Sequence, residues 1–183
     1  ITGAASGIGR LIAEKMAARG CYVVLWDINT EALDRAVRQI RGGGHRAASF
    51  VCDVSDREAV YALARRLHNE IGPVDILVNN AGIVSGKPFL ECSDEELEAT
   101  MRVNTLAHFW TIKAFLPAML EAGRGHLVTI ASAGAMIGTA RLAAYCASKF
   151  AVFGLDDALR AEFRKLRQNI HTTVVCPYFI NTG

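Results

Sequence analysis

Two spacing patterns of apolar residues alternate along this chain. Runs at 21–26, 46–51, 74–78, 125–131 and 170–176 predict short strands, and the near-continuous ones predict burial on both faces. Between them the apolar positions recur every three or four residues, which predicts amphipathic helices. The first opens at the glycine turn of residues 3–9 with Ile8, Leu11, Ile12 and Met16 as its stripe. A helix over 31–41 stops at Gly42-Gly43-Gly44. The next starts at a Ser55/Glu58 capping box, carries Val60, Leu63, Leu67 and Ile71 on one face and ends at Gly72-Pro73. A long helical region begins at a second box, Ser93/Glu96, and runs to about residue 121; the last helix covers 143–163.

Regular strand–helix alternation predicts an α/β fold, a doubly wound parallel sheet with helices on both faces and right-handed crossovers. One domain is expected over 1–183. Ligands of such sheets bind beyond the carboxyl ends of the strands. Residues 3–9, Asp27, Asp53, 79–82, Ser132 and Pro177 all fall at those ends. The chain opens at Ile1-Thr2, where a strand should lead into the glycine turn, and stops just past the last strand. The first strand and the C-terminal end are therefore expected to be truncated, and an N-terminal membrane anchor could have been lost in the same way.

Composition narrows the classes. The 183 residues carry a formal charge of +2 with both signs interspersed, which argues against an electrostatic nucleic-acid binder. Five cysteines and five histidines are scattered with no C-x-x-C, so neither a metal site nor a disulfide framework is expected, and reduced thiols fit a cytoplasmic protein. The long uncharged stretch 125–140 is short for a span and broken by Gly134 and Gly138, so no membrane span is expected.

Candidate chemistry lies at the strand ends. In Gly3-x-x-x-Gly7-x-Gly9 the glycines let backbone approach a diphosphate, and the helix N-terminus favours its charge; a plain strand-to-helix turn reads the same way. Asp27 ends the second strand, where an acid can accept both hydroxyls of an adenosine ribose and repel a 2′-phosphate, favouring NAD over NADP; it could instead cap a helix, a role open to Asn29 or Thr30. Asn79-Asn80-Ala81-Gly82 offers two amides to tie strands and two small residues to admit a cofactor. Asn104 lies among apolar neighbours and needs a partner or a water. Tyr145 and Lys149, four apart on a helix, share one face. A free phenol, with a pKa near 10, is a poor base at neutrality, and an adjacent cation favours its phenolate. Taken alone the pair also fits a buried Tyr and a surface Lys.

In this order, Thr2-Gly3-x-x-x-Gly7-x-Gly9, Asn79-Asn80-Ala81-Gly82, Asn104, Ser132, Tyr145-x-x-x-Lys149 and Pro177 resemble the short-chain dehydrogenase/reductase family over the whole chain. The resemblance implies a Rossmann-type fold and an NAD-dependent oxidoreductase acting on CH–OH groups. It implies Tyr145 as general acid/base, Ser132 on the substrate oxygen, Lys149 on the phenol and the nicotinamide ribose, and Asn104 in a water-linked proton path. It implies a dinucleotide lined by Gly3, Ser6, Gly7, Ile8, Gly9, Asp27, Asp53, Val54, Asn79, Ala81 and Gly82, with Pro177, Ile180 and Thr182 at the nicotinamide. Segments 24–29, 107–111, 113–117, 125–126 and 146–150 are similar to the retinol and 17-beta-hydroxysteroid dehydrogenase branch, which implies a lipophilic alcohol, and in eukaryotic members an anchor to the endoplasmic reticulum or lipid droplets. Ala135, Met136, Ile137 and Leu142 would then wall an apolar pocket. His108 and Trp110 read as packing residues. Relatives pair through the two long helices, so a homodimer or homotetramer is expected. The competing expectation is a non-catalytic dinucleotide-binding scaffold of the same fold.

Overall fold

The computed structural model describes residues 1–178 and 180. Five parallel strands carry the fold: β1 (Val23–Asp27), β2 (Ala47–Val51), β3 (Ile76–Asn79), β4 (Gly125–Ile130) and β5 (Ile170–Val175). β1 pairs with β2, and β3, β4 and β5 form a second ladder in that order. Thr2 joins the two: it bridges Trp26 of β1, and its amide donates to the carbonyl of Val78 in β3 at 3.0 Å. The order is thus β2-β1-(Thr2)-β3-β4-β5. A cavity of about 400 Å³ lies between β1 and β3 beside Ile1 and Thr2, away from the strand carboxyl ends.

Side chains of β1 alternate between two cores, as a strand covered on both faces must. Val23 and Leu25 pack with α1 (Gly7–Ala17) and α2 (Thr30–Gly42). Val24 and Trp26 pack into the other core, with α3 (Arg57–Glu70), α5 (Ala107–Glu121) and α6 (Ala143–Lys165). Trp26 and Phe115 anchor that side at 5.6 Å between ring centroids. Helices on both faces make this a Rossmann-like α/β fold.

Local signals account for most boundaries. Asn29 caps α2 by accepting from the Ala32 amide, which leaves Asp27 free of that task. The Ser93/Glu96 box forms as expected at α4 (Asp94–Met101). The Ser55/Glu58 box does not: Asp56 caps α3 by accepting from Glu58 and Ala59, while Ser55 turns back to Asp53. A carboxylate one residue closer took the cap. The stripe expected on α1 is also corrected. Leu11 is exposed, and the buried face is Gly9, Ala13 and Ala17, small residues that let the helix approach closely. A Cβ on Gly9 would collide with the Gly3 carbonyl and Asn80 Nδ2. The helical region 94–121 is continuous, as expected, but it is not α throughout. A π turn, Arg102–Leu106, separates α4 from α5 and holds Asn104.

Candidate active site

Tyr145 and Lys149 stand on the first two turns of α6. Lys149 is 3% exposed. Its Nζ donates to the carbonyl of Ile130, the last residue of β4, at 2.9 Å and lies 5.6 Å from the centroid of the Tyr145 ring. Burial lowers the Lys149 ammonium from 10.5 to about 8, with Cys176 acting in the opposite direction. The group thus keeps most of its charge near neutrality while stripped of water, and a desolvated cation acts strongly on its neighbours.

Two glycines show how the other candidates converge. A Cβ on Gly134 would lie 3.5 Å from Ser132 Oγ and 3.6 Å from Tyr145 Cε1, so hydroxyl and phenol flank one glycine. A Cβ on Gly82 would lie 3.4 Å from Asn104 Oδ1 and 3.5 Å from Lys149 Nζ. Ser132 follows β4 and caps the short 3-10 turn Ala133–Ala135, its Oγ accepting from the Gly134 amide at 3.1 Å. That bond uses a lone pair and leaves the hydroxyl proton free to donate.

Asn104 is fully buried, and both protons of its amide are used. Its Oδ1 accepts from the Ile83 amide at 2.8 Å, and its Nδ2 donates to the Ile83 carbonyl at 2.9 Å and to Ser148 Oγ at 3.0 Å. Ser148 Oγ in turn donates to the Tyr145 carbonyl at 2.7 Å. Thr105 Oγ1 donates to the Ser148 carbonyl at 3.2 Å. The π turn is therefore stitched to the helix that bears Tyr145 and Lys149. π turns inside helices occur frequently at functional sites.

The dinucleotide end is built from α1, β1 and β3. Gly3 and Gly7 adopt left-handed backbone, with φ of 61° and 53°. Thr2 Oγ1 accepts from the Asn80 and Ala81 amides, and Asn80 Nδ2 donates to the Thr2 and Gly3 carbonyls, each near 3.0 Å. The glycine turn is thereby locked onto β3. Ser6 is exposed and its side chain makes no capping bond, so the first amides of α1 are open to an anion, and Ile8 follows half-buried. Asp27 ends β1 half-exposed, its Oδ2 accepting from Ala5 and its Oδ1 from Asn29, both at 3.1 Å, so the carboxylate is fixed with lone pairs to spare. This open helix end, fixed acid and glycine cradle fit a nicotinamide dinucleotide.

The remaining candidates are placed less uniformly. Asp53 is exposed, with Oδ1 engaged by Ser55, and Val54 beside it is buried. Asn79 is buried, its Oδ1 accepting from Thr111 Oγ1 at 2.7 Å, so its side chain ties β3 to α5 rather than opening to the cleft. Ala81 is half-buried and Gly82 exposed. Pro177 adjoins Ser132: its carbonyl accepts from Ala133 at 2.8 Å. Ile180 is exposed, and Thr182 lies outside the described residues. Around the mouth, Ile83, Val84, Phe89 and Leu90 after β3 and Met136 and Ile137 after β4 are exposed, and Arg141 Nε joins the two loops through the Gly86 carbonyl at 3.1 Å. Of the expected pocket wall, Ala135 instead packs into the core and Leu142 is half-buried. Ser148 and Thr105 were missed by the sequence reading. Both fall in helical register, but a serine and a threonine at such spacing carry no distinctive signal.

Residues 1–183 match the family described as short chain dehydrogenase. Among curated relatives, the chain is 49% identical over 185 residues to short-chain dehydrogenase/reductase family 16C member 6 of Bos taurus and 49% identical to epidermal retinol dehydrogenase 2 of Homo sapiens. It is covered completely in both and spans 58% and 60% of their length. Among solved structures it superposes on a short chain dehydrogenase/reductase from Burkholderia phymatum in complex with NAD, with a TM-score of 0.96, 34% identity, 100% of this chain and 66% of that one. A metagenomic short-chain oxidoreductase in complex with NADP matches with a TM-score of 0.91, 36% identity, 97% of this chain and 80% of that one.

Proposed function

The chain belongs to the short-chain dehydrogenase family, and on that premise we propose that it interconverts a secondary or lipophilic alcohol, retinol- or steroid-like in shape, with its carbonyl, using NAD(H). The observation that carries this reading is the meeting of Lys149 Nζ, the Tyr145 ring and Ser132 Oγ around Gly134 and the end of β4. A binding scaffold has no use for that set.

When bound, the dinucleotide supplies the hydride acceptor or donor. The chain's own residues do the rest. In oxidation, Tyr145 Oη takes the proton from the substrate hydroxyl as the carbinol C–H leaves as hydride; in reduction it returns that proton. Ser132 Oγ donates to the same oxygen and steadies the charge that builds there. Lys149 places its charge beside the phenol, 5.6 Å from the ring centroid, and can hold ribose hydroxyls with the protons that Ile130 does not use. Asn104, through Ile83 and Ser148, keeps the loop after β3 and the start of α6 in register with each other.

Preference for NAD rests on Asp27, whose fixed carboxylate would repel a 2′-phosphate; the similar solved structures bind either cofactor. A lipophilic substrate is supported by the exposed apolar loops after β3 and β4 and by the relative named for retinol. Exposed Leu106, Phe109 and Phe150 on the π turn, α5 and α6 support pairing of two or four copies, which light scattering would measure. Among the described residues no helix is long and apolar enough to cross a membrane. The same reading puts the full-length protein in the cytoplasm or, through an N-terminal anchor, on a membrane, and cell fractionation separates the two. The activity test is NADH formation with retinoids, steroids and simple secondary alcohols. Turnover of at least one is expected; tight NADH binding with no turnover of any would favour the scaffold.

A further inference from the structure

Among the described residues, two that are not glycine have left-handed backbone: Arg141, with φ of 67°, and Arg167, with φ of 54°. Such a backbone crowds a side chain and needs a local reason. Arg167 has an ordinary one, since it lies just past Leu166, the C-cap of α6, where helices commonly end left-handed. Arg141 sits at the third position of a turn that the Leu142 amide closes on the Thr139 carbonyl at 3.1 Å. A positive φ at that position favours glycine or asparagine. The turn lies in the chain between Ser132 and Tyr145, at the rim of the cleft. An arginine kept under strain at a functional rim calls for a task in its side chain.

Arg141 Nε donates to the carbonyl of Gly86 at 3.1 Å. Among the described residues no other hydrogen bond joins segment 83–92, after β3, to segment 133–142, after β4. Each segment is fastened elsewhere on its own side. Asn104 holds the Ile83 backbone, and Lys87 pairs with Glu96 of α4. The Ala133 amide donates to the Pro177 carbonyl. Both segments turn large apolar side chains to solvent, Ile83 and Val84 from one and Met136 and Ile137 from the other.

We propose that Arg141 is a specificity-determining residue that acts as a latch: its bond to Gly86 holds the apolar loops after β3 and β4 at one spacing, and that spacing sets how tightly the carbon skeleton of a lipophilic alcohol is gripped while Ser132 and Tyr145 act on its oxygen. A preset gap lowers the ordering cost of binding. The role deepens the oxidoreductase reading and rests on it. Arg141 acts through the loops and not on the reacting atoms, so its loss is expected in KM and not in kcat.

Two substitutions in the full-length protein isolate the bond. Arg141→Gln puts an amide nitrogen at the same point along the side chain as the arginine Nε and keeps a donor; Arg141→Met has the same length and no donor. Both keep a Cβ at the positive φ, so backbone strain is shared with the wild type. Amide hydrogen exchange, read by mass spectrometry over 83–92 and 133–142, reports the latch without turnover. Steady-state kinetics on the panel alcohol that the wild type oxidises fastest report the grip. In Arg141→Met, exchange in both segments should quicken at least about fivefold, and KM should rise about tenfold with kcat within about threefold. Arg141→Gln should stay within about threefold of the wild type in all three. Exchange in Arg141→Met equal to the wild type overturns the proposal. So does a KM that stays put despite faster exchange, a fall in kcat without a rise in KM, or an Arg141→Gln protein that behaves like Arg141→Met. Faster exchange in Arg141→Met, with a wild type that oxidises no alcohol of the panel, keeps the latch and overturns the oxidoreductase reading alone.

Discussion

Asn104 Nδ2 donates to Ser148 Oγ at 3.0 Å, joining a π turn to the helix face that carries Tyr145 and Lys149. The bond crosses between two elements far apart in sequence, and Ser148 passes it on to the Tyr145 carbonyl. The amide acts on the site through these contacts and touches neither phenol nor ammonium by hydrogen bond among the described residues.

Asn104→Ala removes three hydrogen bonds at once: the part-buried Ile83 amide and carbonyl lose their Asn104 partner, and Ser148 Oγ keeps only its bond to the Tyr145 carbonyl. A loss of about 2–4 kcal/mol in stability is expected, since each orphaned buried group costs about 1–3 kcal/mol and partial relaxation recovers some. Urea unfolding measures it. Turnover should fall at least about tenfold as α6 shifts against the loop after β3.

Asp27→Asn isolates the cofactor argument. The amide oxygen can still accept from one backbone N–H, but the charge is gone. The ratio of kcat/KM for NADP over NAD should rise at least about tenfold, about 1.4 kcal/mol. An unmoved ratio in steady-state assays would remove charge repulsion as the basis of NAD preference.

His108 makes stability depend on acid. Its folded value, about 3, lies below the unfolded 6.5, so between those pH values the unfolded chain binds a proton that the folded chain refuses. Stability from this residue is present above 6.5 and lost as pH falls, by at most about 1.4 kcal/mol per pH unit. Urea midpoints from pH 7 to pH 4 should fall less steeply in His108→Leu than in the wild type. Taking the difference cancels Asp156, whose carboxyl is raised by burial and so contributes with the opposite sign.

Strand–helix alternation and the glycine turn made the architecture legible, because a parallel sheet covered on both faces imposes continuous apolar strands that alternation with helices exposes. β1 reads that way, its successive residues serving two cores. Ser93/Glu96 was legible as a cap, and both halves of its box form. At Ser55/Glu58 the same pattern misled: Asp56 caps the helix there, whereas Asp94, in the same place after Ser93, does not. The π turn was hidden: apolar spacing across 94–121 fits one helix, and a single extra residue in a turn leaves no trace in composition. Ser148, Thr105 and the Ile130 carbonyl were equally hidden, because their roles depend on which elements pack together. His108 was read as packing, and burial agrees, but only coordinates reveal that both its nitrogens are unpartnered.

The central claim is that the phenol beside Lys149 moves the proton while hydride passes to or from the dinucleotide, and Tyr145→Phe tests it most directly. The substitution removes one oxygen and leaves the ring beside Gly134. Turnover of the best alcohol should fall by at least about a thousandfold, within the range that a positioned acid/base contributes, while the Kd for NADH stays within about threefold. A Tyr145→Phe protein that turns over within tenfold of the wild type would contradict the account.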